Sequence, residues 1–405
     1  MTLTLPVRYE YLTKTSKIIY NGKNLRTICL LYLINHIIEE YTDDNLIVPL
    51  YSRIIKHLYG NNYADYVEYL IETGFMEKAS EYSSSEHYSY SYKMIDNLSE
   101  ITICKKNDYK LNKNLTTHFL NLEPHKPFKR ESPIPIEIRQ KLKDDLQFIT
   151  IDFEAAINYI DKYIKKNTKR NPKKYAKNLL MVHKINDNDL YSNPDEYGRF
   201  HSNFTNLNSE IRNRFLKIDG QPIGYLDIKS SQPFFLSQLL KRDPLLYNVQ
   251  EVQRFIDIME DDTQDIYLQF VSKYPNYFKS KDPKINRRKA KKLVIMSLFD
   301  HKSKPRIYKE IFRNEFPYIY DYMNNYSSDA FQELWSSLQA LESEFIFNKV
   351  YISVIKQFPE IKLFTVHDSI YYPIKYEEGI KVIWDGYRLE MIKKKEKEGD
   401  SNIII

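Results

Sequence analysis

Cysteine is almost missing from this chain: among 405 residues there are only Cys29 and Cys104. Two isolated cysteines build neither a disulfide framework nor a zinc cluster, and they fit a reducing, cytoplasmic compartment. Glycine is also scarce, at 9 residues, so turns must be made from Asn, Asp, Ser and Lys. No apolar run is long enough to cross a bilayer, and the start of the chain lacks a secretory leader pattern, which argues against a membrane partner. What the chain has instead is 42% apolar residues, enough for a sizeable core, and 35 tyrosines. The formal net charge of +6 favours a polyanionic partner without demanding one. The length predicts two or three domains.

The chain is organised around residues 222–241, Pro-Ile-Gly-Tyr-Leu-Asp-Ile-Lys-Ser-Ser-Gln-Pro-Phe-Phe-Leu-Ser-Gln-Leu-Leu-Lys. Ile223, Tyr225 and Ile228 are strand formers. Ser230 and Ser231 can cap a helix, Pro233 suits its first turn, and Phe234, Leu236, Leu239 and Leu240 give it an apolar side. Asp227 therefore ends a strand just before a helix. That is a place for a metal ligand or for an ordinary turn residue. Residues 361–373, Ile-Lys-Leu-Phe-Thr-Val-His-Asp-Ser-Ile-Tyr-Tyr-Pro, read as a hairpin, Leu363–Val366 and Ile370–Tyr372, with Asp368 at its bend. Two strand-borne acids far apart in sequence can meet and share divalent cations. Hard Mg²⁺ takes carboxylates together with phosphate oxygens, and paired ions serve both oxygens of a phosphoryl transfer.

Both stretches resemble motifs of the family A polymerases, the group of bacterial DNA polymerase I and the phage-type single-subunit RNA polymerases. Two more stretches agree, in the family's order. Residues 198–208, Gly-Arg-Phe-His-Ser-Asn-Phe-Thr-Asn-Leu-Asn, are similar to its Gly-Arg…Ser…Asn-Leu-Gln segment. Residues 288–296, Arg-Lys-Ala-Lys-Lys-Leu-Val-Ile-Met, resemble its fingers helix, with Arg288, Lys292 and Met296 on one face.

The resemblance implies an α+β right-hand polymerase: a palm with a small antiparallel sheet, and helical fingers and thumb. It implies template-directed addition of deoxynucleotides to a primer 3′-hydroxyl. Asp227, Asp368 and the Ile228 carbonyl would hold two Mg²⁺, with Mn²⁺ as a substitute. Arg288 and Lys292 would bind the outer phosphates, and Lys292 would give a proton to the leaving group. Met296 would back the incoming base. Arg199 and Asn206 would touch the primer-terminal duplex, His367 would support the primer end, and Gln339 would contact the template. Gln232 stands where the DNA enzymes carry Glu and the RNA enzymes carry Gly. It keeps the bulk that excludes a 2′-hydroxyl and loses the charge. Asp300 and His301 replace the family's Tyr-Gly, and Ser369 and Met296 lean towards the RNA branch. The implied partners are primer–template DNA and nucleoside triphosphates, and the implied setting is replication of a phage, plasmid or mobile element.

The remaining chain has four expected parts. Residues 1–97 read as helix (25–41), helix (49–59, opened by Pro49), helix (62–73, closed by Gly74) and a Ser/Tyr-rich hairpin (80–93), a winged-helix-like order. Its third helix bears Asp65, Glu68 and Glu72 and no cation, which favours a protein partner or a structural role over DNA. Residues 98–180 read as a linker, a single helix over 141–166 and a basic, thumb-like run with Lys165, Lys166, Lys169, Arg170, Lys173, Lys174 and Lys177. The palm takes 181–240 and 338–405, and the fingers take 241–337. Asp152-Phe-Glu154 mimics a proofreading motif, but about 45 residues to Gly198 leave no room for an exonuclease domain. Other readings are an RNA polymerase or primase, a template-independent nucleotidyltransferase, and a non-catalytic DNA-binding replication initiator.

Overall fold

A computed structural model describes residues 2–40, 47–50, 63–80, 91–95, 101–105, 132–164, 172–195, 198–299, 307–325 and 328–393. It is a mixed α+β chain whose sheets are antiparallel. The chain forms two compact units. The first comprises residues 1–130, 146–192 and 201–220, and the second comprises 131–145, 193–200 and 221–405.

In the first unit, helix Thr27–Glu40 sits at the centre of one apolar core, with Leu30, Leu33, Ile34 and Ile37 buried. Helix Tyr63–Glu72 adds Val67 and Leu70, and Gly74, at φ 71°, turns the chain into strand Met76–Ser80. That strand pairs with Ser91–Met94, which also pairs with Ile47–Pro49. Pro49 therefore closes a strand rather than opening a helix, because β-branched Ile47 and Val48 join the ladder. The expected helix over 51–59 lies outside the described residues. Asp65 is largely buried and holds Lys23 at 2.7 Å, so this acid fastens the Lys17–Arg26 hairpin.

Two expectations for 96–166 are corrected. Part of the supposed linker, Ile101–Lys105, is a strand paired with Thr2–Pro6. The single helix over 141–166 is broken: helix Ile136–Asp145 and the 3-10 turn Leu146–Phe148 lead into strand Ile149–Ile151, and helix Phe153–Tyr159 follows and runs into a π-helical turn, Ile160–Ile164. The β-branched run Ile149-Thr150-Ile151 pairs with Leu216–Ile218, and Asp152 caps the second helix by accepting from the Ala155 amide at 3.2 Å. That cap is the structural use of the acid in Asp152-Phe-Glu154. Of the basic run, Lys177 is exposed on helix Pro172–Asn186, while 165–171 lie outside the described residues.

The second unit is built on a three-stranded arrangement. Strand Ser369–Pro373 lies between Phe364–Val366 and Gln221–Asp227. Its Tyr372 is fully buried, and Gly224 lies flat against that ring, where a Cβ would meet it at 2.4 Å. Helix Ser231–Leu240 follows Asp227 as expected and buries Phe234, Phe235, Leu236 and Leu240. Helices Pro244–Tyr247, Gln250–Glu260, Ile266–Lys273, Pro283–Phe299, Ile307–Glu315, Pro317–Asn325 and Ser328–Ser343 follow, the last running on as a π-helical stretch to Tyr351 and then helix Ile352–Gln357, and helix Glu377–Lys393 comes after the hairpin. In its core Phe270 stacks on Phe312, and Phe316 packs against Phe312 and edge-on against Phe255. Asp282 accepts from the Lys284 amide at 2.9 Å, so the basic helix starts where the Asp-Pro pair predicts.

Candidate active site

The strand register brings the two aspartates together. Asp227 is paired with Ser369 across the ladder, and the Ile228 amide donates to the Asp368 carbonyl at 3.3 Å. Both acids therefore sit at one end of the sheet, although 141 positions separate them (368 minus 227). Each has a left-handed, non-glycine neighbour: His367 at φ 56° before Asp368, and Ser230 at φ 56° three positions after Asp227. Such conformations cost about 1 kcal/mol or more each, and they persist where surrounding structure enforces them. Ser230 makes no capping bond with its side chain. Its hydroxyl instead meets the buried Tyr267.

A third carboxylate, Glu342, was not singled out by the sequence. It lies on helix Ser328–Ser343 with its side chain 5% exposed. Its Oε2 accepts from Ser231 Oγ at 3.0 Å and from Gln232 Nε2 at 2.7 Å, and its Oε1 lies 3.6 Å from Arg199. The loop carrying Arg199 reaches this helix through Gly198, at φ 86°, where a Cβ would meet Ser343 Oγ at 2.3 Å. Asp195 closes that loop by accepting from the Arg199 amide at 2.8 Å. The signal in the sequence was faint: one acid a helical turn from Leu338 and Phe345, with the polar Gln339 on the same side.

This crowding sets the electrostatics. Burial pushes the Asp368 carboxyl up to about 7, with the negative charge of Glu342 and then Asp227 adding to it and Lys291 opposing. Burial also raises Glu342, against the stabilising Arg199, Ser231 and Gln232. Two hard carboxylates short of positive charge fit a divalent cation chemically. Among the described residues, no group of three or more His, Cys, Asp or Glu side chains is placed to hold a metal.

The expected site residues are distributed as follows. Asp227, Asp368, Ile228, Gln232 and Arg199 converge directly or through Glu342. Gln339 lies one turn before Glu342 on the same helix and is 3% exposed. Arg288 and Lys292 are exposed on the basic helix and Met296 is half-buried. The cation of that helix whose field reaches Asp368 is Lys291, next to Lys292. Arg287 is tied down instead, donating to Asp265 at 2.8 Å and covering the Tyr267 ring. His367 is exposed at the hairpin turn. Asn206 belongs to the first unit, where it donates to the Tyr191 hydroxyl. Asp300 and His301 lie outside the described residues. No helix among the described residues is long and apolar enough to cross a membrane. No protein-family model matches the chain, and no curated protein matches its sequence.

Proposed function

We propose that this chain is a template-directed DNA polymerase that adds deoxynucleotides to a primer 3′-hydroxyl. The observation that carries the proposal is the paired placement of Asp227 and Asp368, with Asp368 raised to about 7 by burial and unneutralised acid charge. Asp227, Asp368 and the Ile228 carbonyl would hold paired Mg²⁺ ions. Bound there, the cations would neutralise phosphate charge and activate the attacking hydroxyl.

The protein's own groups have separate tasks. Arg288 and Lys292, exposed on one helical face, would engage the outer phosphates, and Lys292 would deliver a proton to the departing pyrophosphate. Arg199 would meet the primer terminus from a loop fixed by Glu342 and Ser343. Gln232 would narrow the pocket beneath the sugar, which supports deoxynucleotides as substrates. In this account the three-stranded sheet is the palm and the helices of 241–337 are the fingers. The first unit would contribute the thumb and a winged-helix-like module, whose helix, strand, helix and hairpin follow in that order.

The test is single-nucleotide extension of a labelled primer on four templates that differ only at the first unpaired base, with Mg²⁺. Addition of only the complementary dNTP is the expected result. Addition that ignores the template base would make the enzyme a terminal transferase. Exclusive use of NTPs would move it to the RNA branch. DNA binding without any incorporation would leave the initiator reading.

A further inference from the structure

The two faces of strand Gln221–Asp227 have different uses. Gly224 and Leu226 stand opposite Tyr372 and Ile370, and this side packs into the core of the second unit. Side chains alternate along a strand, so Tyr225 shares the other face with Asp227. Residues directly opposed in an antiparallel ladder also share a face. The register therefore lays Phe364, Tyr371 and Tyr225 in one row across the three strands, two positions behind the row of Val366, Ser369 and Asp227.

The aromatic row runs from closed to open. Phe364 and Tyr371 are buried, whereas Tyr225 is 48% exposed. The Tyr225 ring stacks on Tyr371, with centroids 5.4 Å apart and planes 17° from parallel. Such a cross-strand pair stabilises the sheet, and Phe at 225 would serve that purpose equally. The hydroxyl is the part that the stack does not use, and it makes no hydrogen bond among the described residues. Its polar neighbours are committed or closed. Lys229, just past the strand, gives its Nζ to the Asp262 and Gln264 carbonyls at 2.7 and 2.6 Å, and Ser369 is buried.

A primer that brings its 3′ end to the acid pair passes its last nucleotides over the surface beside Asp227. Two residues of strand span about 7 Å. That distance matches about two nucleotides, at about 3.4 Å of rise each. In a duplex the bases are paired and turned inward, so the strand presents its phosphates at its edge. A tyrosine hydroxyl is one of the neutral donors that proteins direct at phosphate oxygens. We propose that the Tyr225 hydroxyl donates a hydrogen bond to a backbone phosphate within the last three linkages of the primer, with Tyr371 holding the ring in place. This rests on the nucleotidyl-transfer reading above, and it adds a primer contact on the strand before Asp227.

The test uses primers that carry one methylphosphonate, as separated diastereomers, at each of the first four linkages from the 3′ end. Single addition of the complementary dNTP is measured with wild type and Tyr225→Phe, which keeps the stacked ring. On the unmodified primer, kcat/KM is expected to fall about tenfold in Tyr225→Phe. At one of the first three linkages the methylphosphonate is expected to impair wild type more than Tyr225→Phe, by about the same factor, while the fourth linkage affects both alike. Equal profiles for the two proteins at every linkage would overturn the proposal. If wild type adds no nucleotide, the polymerase reading fails, and the contact is read from fluorescence anisotropy of the same primer–templates in Ca²⁺. Binding that is weakened in Tyr225→Phe and insensitive there to one methylphosphonate supports the contact; equal binding by both proteins, or none, overturns it.

Discussion

Gln232 and Glu342, 110 positions apart, are joined by a 2.7 Å hydrogen bond that links the helix after Asp227 to the helix preceding the Asp368 hairpin. Glu342 is thus both a structural tie and a source of negative charge at Asp368. Replacing it by Gln keeps the shape and removes the charge. The Asp368 carboxyl, at about 7 in the wild type, is expected to titrate lower in Glu342→Gln. Carboxyl ¹³C NMR of the metal-free protein measures this. An unchanged Asp368 would remove Glu342 from the electrostatics of the site.

The raised Asp368 also gives a stability profile. Its folded value lies above the ordinary carboxylate value near 4, so the native state holds this proton more tightly than the unfolded chain does. The contribution is favourable in acid and is lost as pH rises from about 4 to about 7. A cation bound by the ionised pair should therefore raise Tm more at pH 7.5 than at pH 5. Asp368→Asn is expected to flatten the pH profile and weaken the Mg²⁺ response. Thermal melts across pH, with and without Mg²⁺, decide the matter.

Gly198 carries two demands at once, a positive φ and contact with Ser343. Gly198→Ala is expected to cost about 2 kcal/mol or more, through backbone strain and displacement of helix Ser328–Ser343. Adding Ser343→Gly should restore the part due to that clash and leave the part due to φ and to Pro133, whose Cγ a Cβ would meet at 2.9 Å. Urea denaturation of both singles and the double separates the two terms.

Helix Ile136–Asp145 secures the segment leading into the hairpin. Lys141 bonds Asp145 at 2.8 Å and the Ile361 carbonyl at 2.9 Å, and Lys362 lies 3.6 Å from Asp145. Asp145 is buried and meets both part-exposed lysines, so Asp145→Ala removes two charge-assisted contacts and should destabilise by about 2 kcal/mol. Chemical denaturation checks the magnitude, and a loss below about 0.5 kcal/mol would make the cluster incidental.

The legible parts of the sequence had strong local grammar. Alternation around Asp227, the tight centre at His367-Asp368-Ser369 and the Asp282-Pro283 helix start all predicted elements that are present. Helix Tyr63–Glu72 and its Gly74 stop were equally clear. Other parts were hidden because periodicity is ambiguous over short runs. Ile149 fits a helical repeat with Leu146 and Phe153, yet its strand partner Leu216–Ile218 is far away in sequence. Strand Ile101–Lys105 likewise depends on Thr2–Pro6. Glu342 was missed because its partners Arg199, Ser231 and Gln232 become neighbours only on folding. Lys291 and Lys292 differ by one helical step, which spacing alone cannot rank.

The central claim is that Asp227 and Asp368 act as one unit. The most direct test is single-turnover incorporation of a correct dNTP by wild type, Asp227→Ala, Asp368→Ala and the double variant, each verified as folded. The account predicts that either single variant loses at least about a thousandfold in rate and that the double loses little more, as for groups that serve one step together. Near-wild-type incorporation in either single variant would contradict it.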